Sequence, residues 1–219
     1  MTSLIHSLPS VQDGDLVLCE LHGYAYQRDM LADRVSYDAT YLAKVDAYED
    51  SAIAKKVNAG RCALLERHLY YGSSVLDIGA GSGAFVHAAI NDGFAAKGFE
   101  VIPQGAERLR SVGLFNDDPS NFDAVTFWDS IEHMENPEGW MRRLGKKTMV
   151  FASLPIFSSL RNVRLSKHYR PGEHLHYFTN DGFIGWMALC GFRLIEQSNH
   201  ETSAGRESIG AFAFTRIGR

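Results

Sequence analysis

Apolar positions along the chain change their period several times, and each change marks a different element. From Ser51 to Tyr70 they fall at Ile53, Val57, Leu64, Leu65 and Leu69, near the helical repeat, with Ser51 placed to cap the first turn. Ser74 to Ile78 is a short apolar run that carries Asp77 and stops at Gly79. Ala84 to Ile90 then reads as a helix ended by Asp92-Gly93. The alternation continues with a strand over Ala95 to Glu100, a helix over Pro103 to Arg110 and a strongly apolar strand over Phe122 to Trp128. Pro137 sits in the first turn of the next helix, where its missing N–H costs nothing, and Gly145 closes that helix. Thr148 to Leu154 predicts a strand, and Thr179 caps a helix that runs through Cys190 to Gly191. Two closing strands, Phe192 to Ser198 and Ser208 to Thr215, flank a polar stretch from Asn199 to Glu207 that reads as a loop.

Strands that alternate with helices predict a mostly parallel sheet covered on both faces, a three-layer, doubly wound α/β fold. The last two strands, with no helix between them, predict one antiparallel edge. Residues 1–50 lack this regularity, apart from Leu16 to Tyr24, which predicts a short strand and turn. The expected division is an N-terminal extension, 1–50, ahead of one α/β domain, 51–219. In the extension Tyr37, Tyr41 and Tyr48 either line a lid or simply pack. At 219 residues and 45 % apolar, the chain holds one full core.

Net charge is −4, so no global positive field draws the protein to nucleic acid or anionic membranes. Arg161, Arg164, Lys167, His168 and Arg170 do cluster locally. That run suits a clamp for an anionic small molecule, a contact to a nucleic-acid backbone, or a solvated face. No apolar run approaches the roughly 20 residues of a membrane span, and Met1 to His6 lacks the charged and apolar regions of a secretory leader. The expectation is a cytoplasmic protein, monomer or homodimer, with no membrane partner. Cys19, Cys62 and Cys190 are odd in number and far apart, which suits reduced thiols.

The candidate chemistry begins at Gly79-Ala80-Gly81-Ser82-Gly83, where a strand gives way to a helix and bare main chain can approach a ligand. Gly79-x-Gly81-x-x-Ala84 fits a dinucleotide fingerprint loosely, so an NAD-linked oxidoreductase is one reading. Asp77 argues against it: a carboxylate two residues before the first glycine is awkward beside a pyrophosphate and useful beside a cationic amino group. Glu100 ends the next strand, about 20 residues on, where an acid accepts ribose hydroxyls from either kind of nucleoside.

Ser74-Val-Leu-Asp-Ile-Gly-Ala-Gly-Ser-Gly-Ala-Phe85 resembles the first motif of class I S-adenosylmethionine-dependent methyltransferases. Two later stretches, Phe122 to His133 and Glu173 to Thr179 followed by Gly191-Phe192, look like the branch that includes quinone-biosynthesis O-methyltransferases. The resemblance implies a seven-stranded Rossmann-like sheet of order 3-2-1-4-5-7-6 with strand 7 antiparallel, and S-adenosylmethionine as cofactor, leaving as S-adenosylhomocysteine. By position it implies that Asp77 and the backbone of Gly79, Ala80, Gly81 and Gly83 hold the methionine moiety and Glu100 the ribose. Val101 and Ile102 would meet the adenine, and Trp128 and Asp129 the floor of the site. The short stretch from Arg110 to Asp123 departs from the family pattern and leaves the third strand unsupported.

Methyl transfer from a sulfonium is an in-line displacement, so positioning does much of the work and a base is needed only when the acceptor has a proton to lose. His133, which follows the fourth strand, is the favoured base, with Asp129 and His168 as further catalytic candidates and His174 and His176 as weaker ones. His-x-His at 174 and 176 lacks the third and fourth ligands of a metal site, so no metal is expected. Asp-Pro-Pro-Tyr and Pro-Cys motifs of nucleic-acid methylating enzymes are absent. The expected acceptor is a small molecule with a hydroxyl, amine or carboxyl, an anionic one included, with nucleotides and nucleic acid left open. A binding partner or sensor without transfer activity is the alternative.

Overall fold

Three short strands open the chain: β1 (Val11–Asp13), β2 (Leu16–Cys19) and β3 (Tyr24–Gln27). Gly14 and Gly23 turn between them at φ of 59° and 61°. The computed structural model describes residues 9–30 and 34–218; the start of the chain, on which the leader expectation rests, lies outside them. Two helices follow. In α1 (Ala39–Glu49) the Asp38 carboxylate accepts from the amides of Thr40 and Tyr41, and in α2 (Ala52–Glu66) the Ser51 hydroxyl accepts from Ala54. These caps satisfy amides that the first helical turn leaves orphaned.

The alternating part then runs β4 (Ser74–Ile78), α3 (Ala84–Asn91), β5 (Ala95–Phe99), α4 (Pro103–Ser111), β6 (Ala124–Trp128), α5 (Pro137–Arg143) and β7 (Met149–Phe157). It ends with β8 (His176–Thr179), α6 (Asn180–Leu189), β9 (Phe192–Ser198), α7 (His200–Ser203) and β10 (Ile209–Arg216). Parallel pairing joins β5 to β4, β4 to β6 and β6 to β7, and β10 lies antiparallel between β7 and β9. The Rossmann-like α/β architecture with a mostly parallel central sheet is therefore present.

Three details differ from expectation. The position of a third strand holds only a single parallel bridge, Gly98 to Phe115, because the chain between α4 and β6 is too short and polar to pair further. Strand β7 is longer than its apolar run suggested. Its last residues, Ile156 and Phe157, pair with β8, which pairs with β3, so the N-terminal strands extend the same sheet. Asn199 to Glu207 is not all loop: it contains α7, and Glu201 there is fully buried.

Strand β6 explains why the sheet is covered on both sides, since all five of its residues are buried. Val125 and Phe127 pack with Leu76, Trp186 and Phe212 on one face, while Ala124 and Trp128 pack with Leu64, Val75 and Phe85 on the other. Each such large side chain contributes roughly 1.5–3 kcal/mol. No helix among the described residues is long and apolar enough to cross a membrane.

The N-terminal strands are held onto the domain by a close approach of Gly23 to α6, where a Cβ on Gly182 would overlap the Gly23 carbonyl oxygen. Gly182→Ala is expected to lower stability by about 1–3 kcal/mol in urea unfolding, as overpacking does. Gly185→Ala, three residues on with open space around it, is expected to be neutral or to stabilise by up to about 1 kcal/mol. Equal effects would show that this contact does not seat the N-terminal strands.

Candidate functional site

The turn after β4 is a run of left-handed backbone: φ is 85° at Gly79, 57° at Gly81 and 90° at Gly83. Side chains are strained in that region, and there is little room for them here. A Cβ on Gly79 would lie 2.8 Å from the Ser130 Cβ, and one on Gly81 would lie 3.1 Å from Val45 Cγ1 and 3.3 Å from Glu49 Oε1. The amides of Gly79 and Ala80 both donate to the Phe99 carbonyl, fixing the turn against the end of β5. Glu100 follows directly. Its Oε2 accepts from Gly81 N at 2.7 Å and its Oε1 from Val101 N and Ile102 N at 2.6 and 2.8 Å. Burial pushes the Glu100 carboxyl up and the three amides pull it partly back. Ile102 and Ala80 are buried, whereas the Val101 side chain is exposed.

Asp77 is buried beneath the turn and accepts from Thr126 Oγ1 at 2.6 Å. Burial, with the nearby Glu100 and Asp129 charges, pushes its carboxyl up to about 7 against the pull of Thr126 and Arg61. Glu49, at the end of α1, is pushed up to about 8 by burial and then by Asp77 and Asp46, and its Oε2 is buried without a partner. Three carboxylates thus surround one glycine turn, and among the described residues no Lys or Arg forms an ion pair with any of them. Such a site is short of positive charge.

Asp129 has a different environment. It sits at φ 54° after β6, and its Oδ2 accepts from Arg61 and from Arg206, each at 2.7 Å. The same two arginines hold Glu201, at 2.9 and 2.7 Å, and Arg61 also reaches Ser153 Oγ at 3.2 Å. Burial opposes ionisation of Glu201, yet Arg61, His200 and Arg206 together keep its carboxyl well below the usual range. Arg61 also lies over the Trp128 ring, 5.0 Å from its centroid, and Trp128 meets Phe85 edge-on. Trp128 and Asp129 are thus linked through Arg61, with Asp129 already neutralised by two guanidinium groups.

His133 closes the 3-10 turn Ile131–His133, three residues beyond Ser130. Its Nδ1 is 2.9 Å from the Glu173 carbonyl and 3.0 Å from the Tyr37 hydroxyl, and burial lowers its basicity. The His174 ring is 4.7 Å away, nearly perpendicular, and its pKa is pushed down to about 3 by burial and by His133. His176 is committed elsewhere, between Tyr24 and the Met134 carbonyl. His168 is half-buried on the basic loop; its Nε2 is 3.1 Å from the Glu207 carbonyl, and its own carbonyl accepts from His174 Nδ1. The basic loop itself is largely self-neutralised: Arg161 pairs with Glu20, Arg164 with Asp13 and Asp15, Lys167 with Glu207, and Arg170 with Glu173.

Several residues of this region escaped the sequence reading. Val45 and Glu49 come from a helix that periodicity did not reveal. Glu132 stood inside a quoted motif and was passed over. Arg61 carried a signal, since it falls at the i+4 position between Val57 and Leu65 on an otherwise apolar helix face, where a charge requires a buried partner. Nothing local announced Glu201 or Arg206. A cleft of about 570 Å³ lined by His22, Ser159, Asp181 and Trp186 contains none of the predicted site residues.

A family model described as a methyltransferase domain matches residues 41–197. No curated protein matches the sequence. Among solved structures, the chain is similar to 1,6-didemethyltoxoflavin-N1-methyltransferase of Burkholderia thailandensis, with bound 1,6-didemethyltoxoflavin and S-adenosylhomocysteine, at 15% identity and TM-score 0.60. The match covers 97% of this chain and 100% of that one. It is also similar to magnesium protoporphyrin IX methyltransferase of Synechocystis PCC 6803 with bound SAH, at 13% identity and TM-score 0.60, over 83% and 96% of the two chains. The [4+2]-cyclase SpnF matches at 13% identity and TM-score 0.54, over 74% and 81%. At such identities the likeness is one of fold, which does not fix a reaction.

The crowded carboxylates make stability depend on pH. Asp77 and Glu49 keep protons in the folded state at pH values where the unfolded chain has lost them. Their contribution is therefore greatest in acid and falls as pH rises through about 7 to 8. The ligand-free protein is expected to melt at a lower temperature at pH 8 than at pH 6. Asp77→Asn, which keeps an acceptor for Thr126, should recover on the order of 2 kcal/mol, or about 4–8 °C, at pH 8. A wild-type melting temperature that does not change between pH 6 and 8 would contradict this account.

Proposed function

This chain belongs to the methyltransferase-domain family, and from that premise we propose that it transfers a methyl group from S-adenosylmethionine to a hydroxyl, amine or carboxyl of a small-molecule acceptor. The observation that carries the cofactor's placement is the trio Asp77, Glu49 and Glu100, buried or half-buried around a glycine turn and, among the described residues, in no ion pair. S-adenosylmethionine brings an ammonium and a sulfonium, the charges such a site lacks, so binding it would let these carboxylates ionise at lower cost. A pyrophosphate brought to the same place meets like charge, which argues against a dinucleotide.

When bound, the cofactor supplies an electrophilic methyl carbon on a good leaving group. The chain's own residues then have distinct tasks. Asp77 takes the amino group from below, and the Gly79, Ala80, Gly81 and Gly83 backbone lies along the methionine moiety. Glu100 offers a ribose hydroxyl the remaining lone pair of Oε2, since Oε1 already accepts from two amides and Oε2 from one. Val101 and Ile102 face the adenine, and Trp128 with Asp129 forms the floor, held by Arg61 and Arg206. Helix α1, with Val45 and Glu49 against Gly81, acts as the lid assigned to residues 1–50.

On the acceptor side, His133 is the proposed base. Its Nδ1 faces a carbonyl, which can only accept, so Nδ1 carries the proton and Nε2 is left with a free lone pair. His168 is the second candidate. The stretches similar to quinone-biosynthesis O-methyltransferases favour an oxygen acceptor.

Calorimetric titration tests this reading. S-adenosylmethionine and S-adenosylhomocysteine are expected to bind and NAD not to, and Asp77→Ala should lose both. Near pH 7.5, binding of the cationic cofactor should release protons, seen as a measured heat that varies with the buffer's ionisation enthalpy. NAD binding alone would overturn the assignment. Binding undiminished in Asp77→Ala would move the cofactor away from this turn.

A further inference from the structure

Glu132, His133 and His174 come together from a 3-10 turn after β6 and the loop before β8. One ligand atom from each lies within 4.8 Å of the others, and the nearest His133–Glu132 approach is 4.0 Å. We propose that these three side chains form a binding site for a first-row divalent transition-metal ion.

Hydrogen bonding around the two imidazoles supports the assignment. His133 Nδ1 is 2.9 Å from the Glu173 carbonyl, and His174 Nδ1 is 2.8 Å from the His168 carbonyl. Carbonyl oxygens only accept, so both Nδ1 atoms carry protons and both Nε2 atoms present lone pairs. A backbone carbonyl behind the ring is the usual outer support of a metal-binding histidine, because it fixes tautomer and orientation together. The carboxylate adds an independent sign. Glu132 is 2% exposed, and its Oε2 is buried with no hydrogen-bond partner. A carboxylate so placed costs several kcal/mol unless something neutralises it. Arg206, the cation whose charge reaches Glu132, is engaged by Asp129 and Glu201 instead.

The donor set selects the ion. Two neutral imidazoles and one carboxylate suit zinc, iron, cobalt or manganese, whereas magnesium and calcium take oxygen ligands. Donors at roughly 2.0–2.2 Å from such an ion lie about 3–3.6 Å apart, so the three groups need to close by about 1 Å. Three protein ligands leave coordination positions open. Ser130, two residues before Glu132, abuts Gly79 of the glycine turn, so the site borders the cofactor cradle. Tyr37 reaches His133 from the lid side. On the transferase reading, an ion here would occupy the Nε2 lone pair of His133 and take over from that side chain the task of acidifying an acceptor hydroxyl; the metal site itself does not depend on that reading.

The test is titration of the metal-free wild-type protein with Co2+, followed by its visible d–d absorption, with Zn2+ as competitor. The expected result is one ion per chain with micromolar or tighter affinity. Glu132→Gln and His174→Ala should weaken binding by more than the roughly 10- to 100-fold that even an outer support costs. His87→Ala, an exposed histidine on α3, should bind like wild type. Circular dichroism and S-adenosylhomocysteine affinity check that each variant folds. Should His174→Ala fail to fold, pulsed EPR of the Cu2+-loaded wild type reads the same donors directly, and coupling to two imidazole nitrogens is expected. No binding below millimolar Co2+, or binding indifferent to Glu132→Gln, would overturn the proposal. Retained S-adenosylhomocysteine affinity in that event would leave the transferase reading standing.

Discussion

A single buried guanidinium organises the region around the site. Arg61 on α2 bonds Asp129 after β6, Ser153 on β7 and Glu201 on α7, and lies over the Trp128 ring. It thereby fixes the end of the central strands relative to a helix before them and a helical turn far beyond them in sequence. With Arg206 it also neutralises both acids of that group, which lets Asp129 hold a left-handed backbone at the strand end. A buried guanidinium is stable only while all its partners are present, so these four elements are locked to one arrangement.

The other half of the site has the opposite balance. Asp77 bonds a hydroxyl and Glu100 three amides, Glu49 Oε2 has no partner, and among the described residues none of the three forms an ion pair. Around one crevice, the acids held by Arg61 and Arg206 are paired internally, whereas the acids at the glycine turn are not. Leaving them unpaired costs stability in the ligand-free protein, a cost that a cationic ligand offsets on binding. Helix α1 contributes to this imbalance, since it brings Glu49 to the turn and so adds to the negative charge there.

Much of this was readable from the chain. Ser51 and Thr179 were expected as caps, and each accepts from a backbone amide in the structure. Alternating strands and helices gave the parallel sheet, because fully buried strands and amphipathic helices have distinct periods. The glycine turn and the acid at the end of β5 were visible for the same local reason. Of the N-terminal strands only Leu16 to Cys19 was visible as a strand; their pairing to the domain was not, since the partner β8 is short and lies far along the chain. Nor was α7, whose polar sequence reads as solvent-exposed until Arg61 and Arg206 arrive to pair with Glu201.

By itself, then, the sequence determined the local elements and the strand-turn-helix cradle, because backbone preference and hydrophobic period act over a few residues. It also carried the family motifs. Only the tertiary structure decided which charges meet. Arg61 and Glu201 are 140 positions apart, Glu49 and Asp77 belong to separate elements, and His174 joins Glu132 and His133 from another loop far along the chain. Electrostatic energy depends on distance in space and on burial, and neither is written in the spacing of residues along the chain.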